Sequence, residues 1–152
     1  MDSDLSTAAK AMLNRCLFQR TRAAARAVTR LYDHELRSTG FKATQVNVLA
    51  TVAARGGLSI TALSDELGMD RTTLSRNLRP LEQRKLLSVA PEGAHRVRLV
   101  TLTPAGETLL IEAAACWERA QSALEASLGG KRVKSVRKSS RALTRSAAKI
   151  LD

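Results

Sequence analysis

The chain has 152 residues, enough for one domain with a sizeable core or for two small lobes that share one. Its 25 lysines and arginines outnumber 14 acidic residues and give a net charge of +11, so a polyanion is the expected partner, either a nucleic acid or an anionic membrane surface. No apolar run approaches the roughly 20 residues of a transmembrane helix, and the N-terminal MDSDLSTAAK is acidic and polar, unlike a signal peptide. We therefore expect a cytoplasmic protein.

Aromatic residues make up only 3% of the chain, so the stacking platforms of single-strand and RNA-binding proteins are scarce and duplex DNA is favoured. The sequence has no phosphate-binding glycine loop, nucleophile elbow or HExxH motif, and we predict neither an enzyme nor a cofactor. Cys16 and Cys116 lack zinc-site spacing. Asp33, His34 and Glu35 point about 100° apart on a helix and cannot hold one metal together, so no metal site is predicted.

The chain begins with a predicted long helix from about Ser6 to Arg37, a stretch without proline or glycine. Its apolar stripe, which needs a partner surface, is formed by Leu13, Leu17, Ala24, Val28 and Leu31. The arginines of this helix lie largely off the stripe and are expected to face solvent. A second helix is predicted from Gln45 to about Arg55, with Thr44 as its cap, and a short extended piece follows around Ser59.

Residues 60–86 predict two short helices joined by a tight turn at Leu67-Gly68-Met69, with Asp70 capping the second helix. One face of this second helix is apolar and carries Leu74, Leu78 and Leu81. The opposite face carries Arg71, Thr72, Ser75, Arg76 and Arg79. No acid occurs from Arg71 to Arg79, whereas a merely solvated helix face mixes both signs of charge. Guanidinium and hydroxyl groups arranged in this way suit the major groove of DNA. Pro80 should kink the helix without ending it.

The last third of the chain predicts a hairpin and two helices. The strands are 87–90 and 97–103, joined by a turn at 91–95. Thr103-Pro104 starts a helix that runs to about Leu128, with Trp117 on its packed side, and Gly129-Gly130 ends it. Every charged residue from Lys131 to Lys149 is positive. This final helix suits dimer packing with a solvated basic back, and the alternatives are binding to anionic lipid or to nearby DNA.

Three stretches resemble the MarR family of winged helix-turn-helix regulators. LSDELGMDRTTLSRNLRPLEQRKLL matches that family's recognition-helix region, HRVRLVTLTPAGETLL its second wing strand and the next helix, and TRLYDHELRSTGFKATQ the junction of its first two helices. The resemblance runs from about Leu13 to the end. It implies a mainly α fold with a small β-hairpin wing. Residues 41–103 would form the winged helix-turn-helix lobe, and residues 6–37 and 104–152 a helical dimerisation lobe.

The resemblance also implies a homodimer that binds a near-palindromic duplex. We predict a sequence-specific double-stranded DNA-binding transcriptional regulator, a repressor that a small ligand or an oxidant releases from DNA. The predicted DNA-contacting residues are Ser59, Thr61, Arg71, Thr72, Thr73, Ser75, Arg76, Arg79, His95, Arg96 and Arg98. Arg96 matches the arginine that the family's wing inserts into the minor groove, although the usual Asp-Arg-Arg is here Ala94-His95-Arg96. Lys85 stands where the family usually has glycine.

The sensing site is predicted at a crevice between the two lobes, near Cys16, Tyr32 and Trp117. Cys16 lies in the neighbourhood of the cysteine with which some relatives sense peroxide, and the alternative is small apolar filler within the helix. A different class of function also fits the charge of +11, namely a sequence-indifferent DNA-packaging protein. Such a protein would bind any duplex with similar affinity.

Overall fold

The computed structural model describes residues 2–89 and 98–151. Their elements, in order, are α1 (Asp2–Arg15), α2 (Leu17–Glu35), a 3₁₀ helix (Leu36–Thr39), α3 (Ala43–Arg55), β1 (Leu58–Ser59), α4 (Ile60–Leu67), α5 (Arg71–Gln83), β2 (Leu87–Val89), β3 (Leu99–Leu102), α6 (Pro104–Leu128) and α7 (Gly130–Leu151). The predicted fold class, mainly α with a small sheet, is confirmed. None of these helices combines the length and apolar character that a membrane span requires.

The predicted single helix from Ser6 to Arg37 is wrong, because the chain breaks at Cys16 and changes to a 3₁₀ helix at Leu36. Cys16 has extended backbone angles (φ −72°, ψ 103°), and its thiol sulfur accepts a hydrogen bond from the Gln19 amide at 3.4 Å. It therefore acts as the N-cap of α2, although cysteine is a weak acceptor. No proline or glycine marks this break in the sequence.

Helix α3 begins two residues earlier than predicted, with Lys42 rather than Thr44 at the cap position. The Gln45 side chain accepts a hydrogen bond from the Lys42 amide at 2.8 Å, and Asp33 of α2 accepts one from the Ala43 amide at 2.7 Å. Two of the unpaired amides of the first turn are thus satisfied, one of them by a residue from another helix. The start of α3 is fixed by tertiary contact.

The two predicted short helices are α4 and α5, and Gly68 (φ 60°) makes the turn between them. Three leucines anchor α5 in the core, Leu74, Leu78 and Leu81, each at most 4% exposed. Helix α5 continues through Pro80 to Gln83, as expected. Lys85 then takes φ 55°, the single non-glycine residue with positive φ in the described chain, at a cost of about 1 kcal/mol. The Lys85 carbonyl accepts a hydrogen bond from the Thr103 hydroxyl at 2.7 Å, which holds this conformation.

Three short strands form an antiparallel sheet in the order β1-β3-β2. Leu58 pairs with Val100 and Leu87 pairs with Leu102. The central strand β3 is therefore hydrogen-bonded to β1, which precedes α4, and to β2, which follows α5. Both β2 and β3 lie within the predicted strands. The predicted hairpin turn, with His95 and Arg96, falls in 90–97, outside the described residues.

Helix α6 starts as predicted, with the Thr103 hydroxyl accepting a hydrogen bond from the Gly106 amide at 3.1 Å. Trp117 lies on the side of α6 that faces α2 and α3, but it is not buried there, because 44% of its surface is exposed. The residues that α6 does bury are Gly106, Ala113, Cys116 and Ala120. Helices α2 and α7 bury no residue at all within one protomer. Much of their apolar stripes therefore stays exposed in the monomer.

Candidate nucleic-acid interface

The start of α5 is fixed by Asp70, whose carboxylate makes two hydrogen bonds to one residue. One oxygen accepts from the Thr73 amide at 2.8 Å, and the other accepts from the Thr73 hydroxyl at 2.7 Å. These bonds, first that of the hydroxyl, hold the pKa of Asp70 below its usual value. Asp70 is confirmed as the cap, and the hydroxyl of Thr73, predicted to contact DNA, is already engaged by it.

The exposed face of α5 carries cations that no acid neutralises. Arg71, Arg76 and Arg79 are exposed, and their guanidinium groups make no ion pair or hydrogen bond with the described chain. The Ser75 hydroxyl donates to the Arg71 carbonyl at 2.8 Å and keeps its acceptor lone pairs free. Thr72 is exposed beside them. This face can therefore offer bidentate donors and hydroxyls to a polyanion.

A second group of predicted contact residues meets at one end of the sheet. The Ser59 hydroxyl accepts a hydrogen bond from the Ala62 amide at 3.1 Å and caps α4, and Thr61 is exposed in its first turn. Arg98 is brought there by strand pairing, because its carbonyl accepts a hydrogen bond from the Ile60 amide at 3.2 Å. The fold thus places Ser59, Thr61 and Arg98 together, beside the helix-turn-helix.

A crevice of about 410 Å³ lies between α2, α3 and α6. It brings Tyr32 and Trp117 together, as predicted. Cys16 does not line it: 16 residues separate it from Tyr32, so the two lie about 24 Å apart along α2. Polar groups that sequence reasoning missed, Thr29 and Asn47, also line the crevice. They come from two separate helices, and no spacing in the sequence relates them.

Tyr32 connects this crevice to the last helix. Its hydroxyl donates to the Gln121 side-chain oxygen, and the Gln121 amide donates to Glu125 at 2.5 Å. Arg137 of α7 donates to the same Glu125 oxygen at 3.0 Å. Burial, and then the negative charge of Glu125, raises the pKa of Tyr32, so the phenol stays protonated and remains a donor.

The carboxylates at the end of α2, which are side chains of the kind that bind metals, are hydrogen-bonded to other parts of the protein. Asp33 accepts from the Ala43 amide, and Glu35 accepts from Arg119 at 3.0 Å. The hydrogen bond from Arg119, followed by that from His34, lowers the pKa of Glu35. Within residues 2–89 and 98–151, no group of three or more histidine, cysteine or carboxylate side chains could hold a metal ion.

Comparison with known proteins assigns the family. Residues 39–96 match the model of the MarR family. The transcriptional regulator MosR of M. tuberculosis is 32% identical over 88% of this chain and 96% of its own, with a TM-score of 0.75. The chain belongs to the MarR family. This is a family of transcriptional regulators and not of enzymes.

Other solved MarR-fold structures agree. MosR in complex with DNA has a TM-score of 0.78 at 31% identity, over 88% of this chain and 97% of that one. BpsR of Bordetella bronchiseptica, whose DNA binding is regulated by 6-hydroxynicotinic acid, has a TM-score of 0.74 over 86% of this chain and 95% of its own. At 22% identity, the likeness to BpsR shows the fold alone. A comparison with curated proteins finds no match.

Proposed function

We propose that this MarR-family regulator binds a near-palindromic DNA operator as a homodimer and represses transcription there. The observation that carries the proposal is the exposed face of α5, which has no acid from Arg71 to Arg79. Asp70 caps this helix, and three buried leucines anchor it. The structure of MosR with DNA supports it, because that relative shares the fold over nearly its whole length. Two copies of α5 would enter major grooves about one helical turn apart.

The contacts divide into two kinds. Arg71, Thr72, Ser75 and Arg76 lie toward the start and middle of α5 and would read base edges. The phosphate-holding residues would be Arg79 and Arg98, with the hydroxyls of Ser59 and Thr61, and the wing residues His95 and Arg96 would extend these contacts along the groove. Phosphate contacts fix the position of the protein, and base contacts select the sequence.

A second copy of the chain would cover the exposed apolar side chains of the helical lobe. Leu17 and Phe18 of α2 are 64% and 69% exposed, and Ile150 of α7 is 83% exposed. Helices with such stripes are stable when another surface buries the stripe. A homodimer supplies that surface and also the twofold symmetry that a palindromic operator requires.

Selection of bound duplexes from a random library, at about 150 mM salt, tests the proposal because this salt weakens non-specific phosphate binding. We expect a palindrome with half-sites about 10 base pairs apart, centre to centre. Recovery of unrelated sequences, bound with equal affinity, would instead support the sequence-indifferent packaging protein. A parallel selection with the Arg76→Ala variant serves as control, since it should return a more degenerate half-site.

We further propose that the crevice between α2, α3 and α6 takes a small uncharged aromatic effector. No charged residue lines it, so a carboxylate would be desolvated there without a cationic partner. The Trp117 indole offers a stacking surface, and Asn47 offers an amide donor and acceptor. Because the crevice joins α3 to the helical lobe, an occupant would change the spacing of the two α5 helices. An oxidant, the alternative inducer, would act at Cys16 and the α1–α2 junction.

Fluorescence of Trp117, the single tryptophan of the chain, tests the effector site. Benzamide should quench it and release the operator, and the isosteric benzoate should bind at least about tenfold more weakly because its charge is unpaired in the crevice. Ala114→Phe should fill the crevice and abolish quenching with operator affinity kept, whereas the neighbouring Ala115→Phe, outside the crevice, should bind benzamide normally. Equal binding of benzoate would contradict the assignment.

A further inference from the structure

A second cluster of cations lies away from the exposed face of α5. The end of α2, the 3₁₀ helix and the start of α3 form an open pocket of about 510 Å³, and it is lined by Arg30, Arg37 and Lys42. All three side chains are exposed. We call these three residues, together with Arg84 at their edge, the α2–α3 cluster.

The acids beside the cluster are already engaged. Asp33 accepts a hydrogen bond from the Ala43 amide at 2.7 Å and lies 3.6 Å from Lys42, and Glu35 pairs with Arg119. The guanidinium groups of Arg30 and Arg37 make no ion pair or hydrogen bond with any residue of 2–89 or 98–151. The cluster therefore keeps a net positive charge that the described chain leaves uncompensated.

Arg84 joins this cluster to the end of α5. Its guanidinium lies over the Phe41 ring, 4.7 Å from the centroid, and Phe41 is buried. Gly40 has φ 74°, and a Cβ there would lie 3.4 Å from a guanidinium nitrogen of Arg84. Glycine thus permits the left-handed turn, and the Arg84 guanidinium lies beside it. Positive charge continues from the exposed face of α5 to the junction of α2 and α3.

We propose that Arg30, Arg37 and Arg84 bind phosphates of the duplex beside the half-site that α5 reads, a proposal that rests on the function proposed above. Helix α5 has 13 residues and is about 20 Å long, so its C-terminal end lies several base-pair steps from its start. The cluster is open and its cations are exposed, which suits a continuous phosphodiester backbone. It adds affinity without sequence preference.

The test compares Arg30→Ala/Arg37→Ala with Arg141→Ala/Arg145→Ala, which removes the same charge from the exposed α7. Both are assayed on the operator over a range of salt, with circular dichroism to confirm folding. The first variant should bind about tenfold more weakly, with unchanged sequence preference. The slope of log affinity against log salt concentration should fall by about 4, because each of the two protomers loses two phosphate contacts and each contact contributes about 0.9. The α7 variant should leave the slope nearly unchanged, and Arg30→Lys/Arg37→Lys should restore it.

Hydroxyl-radical footprinting locates the contact. Protection of backbone positions beside each half-site should be present with the wild type and absent with the double alanine variant. If the two alanine variants showed equal salt slopes, the loss of affinity would be explained by net charge alone, and the proposal would be overturned. The proposal would also be overturned if millimolar inorganic phosphate, at constant ionic strength, released the operator from the wild type and not from the double alanine variant. The cluster would then be a binding site for a free anion. If the wild type itself showed no sequence-specific binding, the proposed function would be contradicted instead.

Discussion

Arg76→Ala is expected to weaken operator binding by about 1–3 kcal/mol per half-site and to relax the preference at one base pair. Arg76 lies near the middle of α5, is exposed and has no acidic partner in the described chain. Buried Leu74 and Leu78 on the opposite face fix the orientation of its helix. A bidentate contact to guanine from this position would be lost without a substitute. Titration against the selected operator and single-base variants measures the change.

Arg98→Ala provides the comparison. Its backbone position is held by the Ile60 amide, so the side chain can be removed without disturbing the strand pairing of β1 and β3. We expect this variant to weaken binding to all sequences alike and to reduce the salt slope by about 2, which is one phosphate contact in each protomer. If Arg76→Ala also lost affinity uniformly across sequences, the division into base-reading and phosphate-holding residues would be wrong.

Gly106→Ala is expected to destabilise the fold by about 3 kcal/mol, the upper part of the usual range for overpacking. A Cβ at this position would lie 2.1 Å from the Leu86 carbonyl oxygen and 3.0 Å from a Leu102 methyl group. The first turn of α6 packs directly on the backbone where the recognition region ends, so the two elements would have to separate. Urea unfolding at fixed protomer concentration gives the change in the free energy of unfolding.

Gly130→Ala is the matched control for this packing argument. Gly130 opens α7, and nothing lies within 4 Å of the position that its Cβ would take. We expect a change within about 0.5 kcal/mol, or a small gain from the better helix propensity of alanine. Equal destabilisation by the two substitutions would show that the close approach at Gly106 does not decide its effect.

Local sequence signals predicted the helix-turn-helix well, because each of its features depends on residues close together in the chain. Leucines at helical spacing define the buried face of α5, Asp70 caps it, and Gly68 allows the left-handed turn. Thr103 and Gly129 mark both ends of α6 in the same way. The charge pattern of α5 indicated DNA binding for a similar reason, since the absence of acids over the nine residues from Arg71 to Arg79 can be read directly from the sequence.

Tertiary structure alone decided the features that combine distant parts of the chain. Asp33 of α2 sets the start of α3, and contacts with three helices bring Tyr32 and Trp117 to one crevice. The break at Cys16 has no local helix-breaking residue, so the sequence predicted a continuous helix there. Sequence patterns report periodicity and caps within a few residues, whereas these features depend on which helices pack together. That packing and the α2–α3 cluster can be recognised only in the folded structure, where the core fixes the positions of the helices.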